Sequence, residues 1–320
     1  MKIIVTGGGG FLGSRVIQLL LERKDAGTGA VEFDQIVSLD LAACPVDDSR
    51  VTSVKGSIGD IELLHGLVTE DTVGIFHLAA VLSGGSEEDF DLAMNVNVDG
   101  TRALLEAARN TKAAPRFVFT SSLAVFGGEM PQIVPENLAT QPESTYGMVK
   151  SIGELLVNEY TRKGYIDGRI CRLPTISVRP GKPNSAASSF ASSIIREPMN
   201  GTGSVCPVPV ETKMWLSSPN AAVANLVHAF ELGAETLGGW RVLNVPGLSV
   251  TAGEMLESLA RVGGQQARDL VEIAYDAKID AIVGSWPGAF DVERTRSLGF
   301  VSDTDFDQVV QQYRDDFIAN

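Results

Sequence analysis

The chain has 320 residues, of which 44% are hydrophobic and 21% charged, a balance that supplies a sizeable core and argues against intrinsic disorder. With 40 acidic and 26 basic side chains the formal charge is -14, which repels nucleic-acid backbones and anionic membrane surfaces. Scattered cysteines (Cys44, Cys171 and Cys206) without a CxxC pair, and histidines (His65, His77 and His228) without an HExxH pattern, point to a reducing compartment and offer neither a disulfide scaffold nor a usual metal-ligand set.

The N-terminal stretch lacks a cationic lead, an apolar run of signal length and a cleavage site, and no apolar run reaches the roughly 18 residues that a spanning helix requires. A cytoplasmic protein with no membrane or nucleic-acid partner is expected. Short β-branched runs alternate with helical stretches: a strand at Lys2–Thr6, a helix at 11–23, a strand at Gln35–Asp40, a helix at Ile61–Leu67 and a strand at 74–77. A helix at 95–110, an apolar strand at 116–121, a Pro- and Glu-rich loop at 127–145, a helix at 146–163 and a strand at 168–173 continue the series. This is the rhythm of βαβ units feeding a buried parallel sheet. After Pro174 the character changes, and Pro180, Pro183, Pro198, Pro207 and Pro209 break up Ser- and Ala-rich sequence, as in irregular loops that converge on a ligand. A helix at 220–232 and a strand at 240–245 are expected to return to the large sheet, with further helices at 251–262 and 304–318. The fold class expected is α/β, a doubly wound parallel sheet with a smaller, discontinuous second domain.

The first strand runs directly into a glycine motif, with Gly7, Gly10 and Gly13 at GxxGxxG spacing and Phe11 and Leu12 between the last two. The first glycine permits the tight turn, the second lets backbone amides approach a pyrophosphate, and the third lets helix and strand pack closely. The second strand ends on Asp40, where a carboxylate can accept hydrogen bonds from both hydroxyls of an adenosine ribose and would repel a 2′-phosphate. No arginine follows within Leu41, Ala42 and Ala43, so NAD is favoured over NADP.

Tyr146 and Lys150 form a YxxxK pair on one helix face. Upstream, Ser121 and Ser122 close an apolar strand at the sheet edge where open α/β folds bind ligands. A tyrosine is a poor base near neutral pH unless a cation stabilises its phenolate, and Lys150 together with an oxidised nicotinamide would supply that charge. Ser122 would orient the reacting hydroxyl.

The ordered set of TGGGGFLG, His77-Leu78-Ala79-Ala80, Asn97-Val98-Asp99-Gly100-Thr101, TSSLAVFG around Ser122 and Tyr146-Gly147-Met148-Val149-Lys150 resembles the extended short-chain dehydrogenase/reductase family, epimerase/dehydratase type. The resemblance implies a Rossmann dinucleotide-binding domain at 1–173, to which 219–246 would return, and a substrate domain assembled from 174–218 and 247–320. It implies Tyr146 as catalytic base, Lys150 on the nicotinamide ribose, Ser122 as hydroxyl partner, and Ala80 and Asn97 near the cofactor. Where the family often places an Asp-Ile pair against adenine, this chain has Ser57-Ile58.

The second half departs from the nucleotide-sugar enzymes of this family. In place of an Arg, an aromatic and a Val-Asp-Asp run it has Lys213-Met214-Trp215-Leu216-Ser217-Ser218-Pro219. The stretch from Arg172 to Asn184, with Phe190 and Ile194-Ile195-Arg196-Glu197-Pro198 after it, is instead similar to the D-erythronate dehydrogenase branch. That similarity implies NAD-dependent oxidation at C2 of a small sugar acid, whose carboxylate Arg179, Lys182 or Arg196 could meet. The family resemblance suggests a homodimer, and the scarcity of ligand residues argues for no metal. Two alternatives stay open: a nucleotide-sugar epimerase or dehydratase that retains its NAD, and a non-catalytic NAD-sensing protein.

Overall fold

The computed structural model describes residues 1–181 and 187–318. Its strands β1 (Lys2–Thr6), β2 (Gln35–Asp40), β3 (Val51–Lys55), β4 (Thr72–His77), β5 (Arg116–Ser122), β6 (Asp167–Leu173) and β7 (Val242–Asn244) make one 7-stranded sheet in the order β7-β6-β5-β4-β1-β2-β3. Every neighbouring pair is parallel. Ile3, Ile4, Val5, Ile36, Leu39, Phe76 and Phe117 are buried, as expected for strands covered on both faces by crossover helices. Chain order reverses between β1 and β4, so a crevice opens beyond the carboxyl ends of those strands, where ligands of doubly wound sheets bind.

The helices that matter for the site are α1 (Phe11–Asp25), α2 (Ile61–Leu67), α3 (Thr101–Thr111), α4 (Thr145–Arg162), α5 (Phe190–Met199), α6 (Pro219–Glu231), α7 (Ala252–Gly263) and α8 (Phe306–Phe317). Helix α4 starts at a fixed place because Gly147 N donates to the Ser144 hydroxyl at 3.0 Å, an N-cap that sets Tyr146 in the first turn. The expected helix at 95–110 is instead a short helix, Phe90–Ala93, a π-helical segment, Met94–Gly100, and then α3. Within that segment the Asn97 carbonyl accepts from the Thr101 hydroxyl at 2.6 Å. Hydrophobic period alone does not reveal one wider turn.

Strand β7 pairs with β6 through Val242 and Ile170. Helix α6 packs on the sheet face with Phe230 against Phe76, ring centroids 4.9 Å apart. Its last carbonyls are satisfied by arginines from the sheet: Arg169 Nε donates to Ala229 O at 2.8 Å and Arg116 Nη1 to Phe230 O at 2.8 Å. Cations there also face the negative end of the helix dipole.

A second core gathers Phe190, Ile194, Ile195, Met214, Leu216, Met255, Leu259, Val309 and Tyr313 from α5, α7, α8 and a small sheet. That sheet pairs Lys213–Ser217 antiparallel with Leu248–Thr251 and parallel with Thr175–Ile176. Helix α7 opens with a Thr251–Glu254 capping box. The Pro- and Glu-rich loop is pinned under the C-terminal segment: Val134 N donates to Ala289 O at 3.0 Å and Asp291 N to Val134 O at 2.9 Å. Arg196 of α5 and Trp286 line the crevice from this side.

Candidate active site

The crevice is a cavity of about 620 Å³. Gly7, Gly10, Phe11, Leu12, Gly13, Asp40, Ser57, Ile58 and Ala80 line one part; Ser122, Tyr146 and Lys150 line another, with Arg179 and Arg196. Asn97 is buried behind the wall, where its side-chain amide accepts from Val81 N at 2.8 Å and donates to Val81 O at 3.0 Å. It therefore fixes a lining residue. Lys182 lies outside the described residues.

At the glycine end the backbone shape demands these residue types. Gly7 has φ +77°, and a Cβ on Gly13 would lie 2.1 Å from Gly7 O. Helix α1 begins after Gly10 with no side-chain cap, leaving its first amides for a ligand, and a pyrophosphate suits that polarity. The Asp40 carboxylate is held by Gly9 N at 3.1 Å and Ala42 N at 3.0 Å. The Ser57 hydroxyl accepts from Gly59 N at 3.1 Å, and Ile58 supplies an apolar wall beside it. A dinucleotide fits this cradle. Replacing Asp40 by Ala should reduce the preference for NAD over NADP by about 10-fold or more, the size of a charge-assisted hydrogen-bond set. Paired kcat/KM values with the two cofactors check this.

In the middle of the cavity, Lys150 Nζ donates to Thr120 O at 2.8 Å and lies 5.6 Å from the centre of the Tyr146 ring. Burial brings the Lys150 ammonium down to about 8 and pushes the Tyr146 phenol up to about 12. The charge that opposes burial at Tyr146 is that of Arg179, a contribution invisible in sequence spacing. The Ser122 hydroxyl accepts from Ala124 N at 3.2 Å, which holds it at the end of β5.

Behind the cofactor wall, His77 joins three elements. The Thr101 hydroxyl donates to Asn97 O, so it accepts from His77 Nε2 at 2.9 Å, leaving Nδ1 to accept from the Thr6 hydroxyl at 2.7 Å. Burial first, and then the Lys150 charge, lower this imidazole to about 3. The unfolded chain takes up a proton here near pH 6.5 and the folded one does not until about pH 3, so stability is lost as pH falls through that window. Between about pH 7 and about pH 5 the loss should reach about 2 kcal/mol. A His77→Gln variant lacks this component, and the gap in Tm between it and the native protein should narrow on acidification. A constant gap would refute the neutral, buried imidazole.

The two described arginines differ in their engagement. Arg196 Nη1 donates to Arg179 O at 2.8 Å and its Nη2 to Glu197 at 2.6 Å. Among the described residues no carboxylate pairs with the Arg179 guanidinium, and burial together with the Arg196 charge disfavours its cationic form. Such a group calls for an anion. Among the described residues no group of 3 or more His, Cys, Asp or Glu side chains is placed to hold a metal ion, and no helix is long and apolar enough to cross a membrane.

Residues 3–215 match the NAD dependent epimerase/dehydratase family. The chain belongs to that family. It is 50% identical over 319 residues to a D-erythronate dehydrogenase of Cupriavidus necator, covering 99% of this chain and 98% of the relative. A D-erythronate dehydrogenase of Haemophilus influenzae is 44% identical over 315 residues, covering 98% of each. Among solved structures, a nucleoside-diphosphate-sugar epimerase from Agrobacterium tumefaciens superposes with a TM-score of 0.94 at 37% identity, over 99% of this chain and 94% of that one.

As a member of the NAD dependent epimerase/dehydratase family the protein is an enzyme that uses NAD, in agreement with the cradle described above. Several wall residues of this family member were not legible in its sequence: Thr175 on a short strand, Ser188 and Ser189 just before α5, and Trp286 near the C-terminal end are far apart in sequence and meet only in the fold. The buried Ser121–Glu154–Arg172 network was likewise missed. Its one sequence signal is that Glu154 follows Lys150 by a single helical step.

Proposed function

We propose that this protein oxidises the C2 hydroxyl of D-erythronate, giving a 2-oxo-tetronate and NADH. The proposal is carried by Arg179, a cation without a described carboxylate partner on the same cavity wall as Tyr146. Two relatives similar to this chain over nearly its whole length bear the name D-erythronate dehydrogenase, and that name fits such a cation. Residues 1–173 with 219–246 form the dinucleotide-binding unit, and 174–218 with 247–320 the substrate unit; pairing of Val242–Asn244 with β6 and the separate core around α5, α7 and α8 support this division. A homodimer is supported by exposed Phe90 and Leu155 on neighbouring helices, and the unpaired cysteines suit a cytoplasmic setting.

NAD, when bound, supplies the two-electron acceptor, held by Gly7 to Gly13, Asp40, Ser57, Ile58 and Ala80. The substrate carboxylate lies on Arg179, whose planar fork can bind it through two hydrogen bonds. Ser122 donates to or accepts from the C2 hydroxyl and fixes its direction. Tyr146 removes the hydroxyl proton at its phenolic oxygen, and the Lys150 and Arg179 charges offset the cost of a buried phenolate. Arg196 keeps the Arg179 backbone in place.

Purified protein with NAD should form NADH from D-erythronate and very little from erythritol, the neutral polyol of the same length. Comparable turnover of the two would sink the sugar-acid reading. An epimerase that retains its cofactor would release no net NADH from any of these compounds.

A further inference from the structure

One face of α4 carries side chains at successive steps of four residues: Tyr146, Lys150 and Glu154. The first two line the cavity. Glu154 lies one turn deeper and is only 4% exposed. There its carboxylate accepts from the Ser121 hydroxyl at 2.6 Å and from Nε and Nη2 of Arg172 at 2.8 and 2.7 Å. Ser121 on β5 and Arg172 on β6 are register partners, so one carboxylate ties two adjacent strand ends to one helix. The Arg172 guanidinium also stacks on Phe126 at 4.7 Å, just past the turn that follows β5.

We propose that Glu154 is a positioning residue for the oxidation. Through Ser121 and Arg172 it sets where Ser122, at the end of β5, stands relative to Tyr146 and Lys150 on α4. The inference rests on the reaction proposed for those three residues. Strand alternation turns consecutive side chains to opposite faces, so a Ser121 hydroxyl committed to Glu154 fixes the direction in which Ser122 faces. A buried ion pair adds little net stability over an apolar substitute; what this pair adds is a fixed distance between the strand and helix that carry the reacting groups. Arg172 Nη1 has no partner among the described residues, so loss of the carboxylate leaves the whole guanidinium uncompensated.

Ser121→Ala removes a single hydroxyl and keeps the ion pair, so it separates positioning from folding. Oxidation of D-erythronate, thermal unfolding and NADH affinity are measured for Ser121→Ala, Glu154→Gln and the double variant. A misplacement of about 1 Å at a reacting centre costs about 100-fold in rate. The expected result is a kcat about 10-fold lower in Ser121→Ala and about 100-fold lower in Glu154→Gln, with NADH affinity changed by less than about 3-fold in each. The double variant should be no slower than Glu154→Gln, because both changes break one linkage. A native kcat in Ser121→Ala, multiplicative losses in the double variant, or losses that track NADH affinity would overturn the proposal. If Glu154→Gln does not fold, kcat and NADH affinity in Ser121→Ala decide alone. Tyr146→Phe assayed alongside keeps the two readings apart: turnover retained there refutes the reaction assignment, whereas turnover lost there with Ser121→Ala at native rate refutes only the role of Glu154.

Discussion

Tyr146→Phe should lower kcat for D-erythronate by about 100- to 10,000-fold, the range that a positioned proton acceptor contributes. The change deletes one oxygen and leaves the ring in place beside Lys150. The local backbone is fixed independently of that oxygen: a Cβ on Gly147 would lie 2.0 Å from Ala124 O, so the start of α4 and the turn after β5 are in direct contact. NADH affinity should therefore change by less than about 2-fold. Burial pushes the Tyr146 phenol up to about 12 in the protein alone, so the native rate should rise with pH as the base deprotonates. The residual rate of the variant should lack that rise. A variant with a tenth of native activity and an unchanged pH profile would require a different base.

Arg179→Met should raise KM for D-erythronate by about 10- to 100-fold, because a hydrogen bond to a charged group contributes about 1.5–3 kcal/mol. A four-carbon acid has few atoms with which to gain affinity, so this contact carries much of its orientation. NADH affinity should be spared. The same change removes the positive charge that opposes burial at Tyr146, so the rise of kcat with pH should move to higher pH. Steady-state kinetics over a pH series reads both effects. Unchanged KM would redirect attention to Lys182, while Arg196 is already occupied by Glu197 and the Arg179 carbonyl.

The parallel sheet was legible because its central strands are buried on both faces and read as apolar runs, as in Ile36–Leu39 and Phe117–Phe119. Edge strand β3 was not, since Thr52 and Ser53 are exposed and its apolar residues are only half-buried. That the glycine motif, Asp40, Ser122, Tyr146 and Lys150 would meet in one crevice was legible from order and spacing along βα units. The two arginines could not be ranked from sequence, because what distinguishes them is a backbone carbonyl and a neighbouring carboxylate that meet Arg196 only in the fold. For Asn97 the motif gave a place near the cofactor but not a partner, and the structure supplies one: its side chain holds Val81, which lines the cavity.

Oxidation at C2 is tested most directly with D-erythronate carrying deuterium at that carbon, incubated with NAD and the protein. Deuterated NADH is expected, equimolar with the 2-oxo acid. NADH free of deuterium would place oxidation at another carbon, and the absence of any NADH would contradict D-erythronate oxidation altogether.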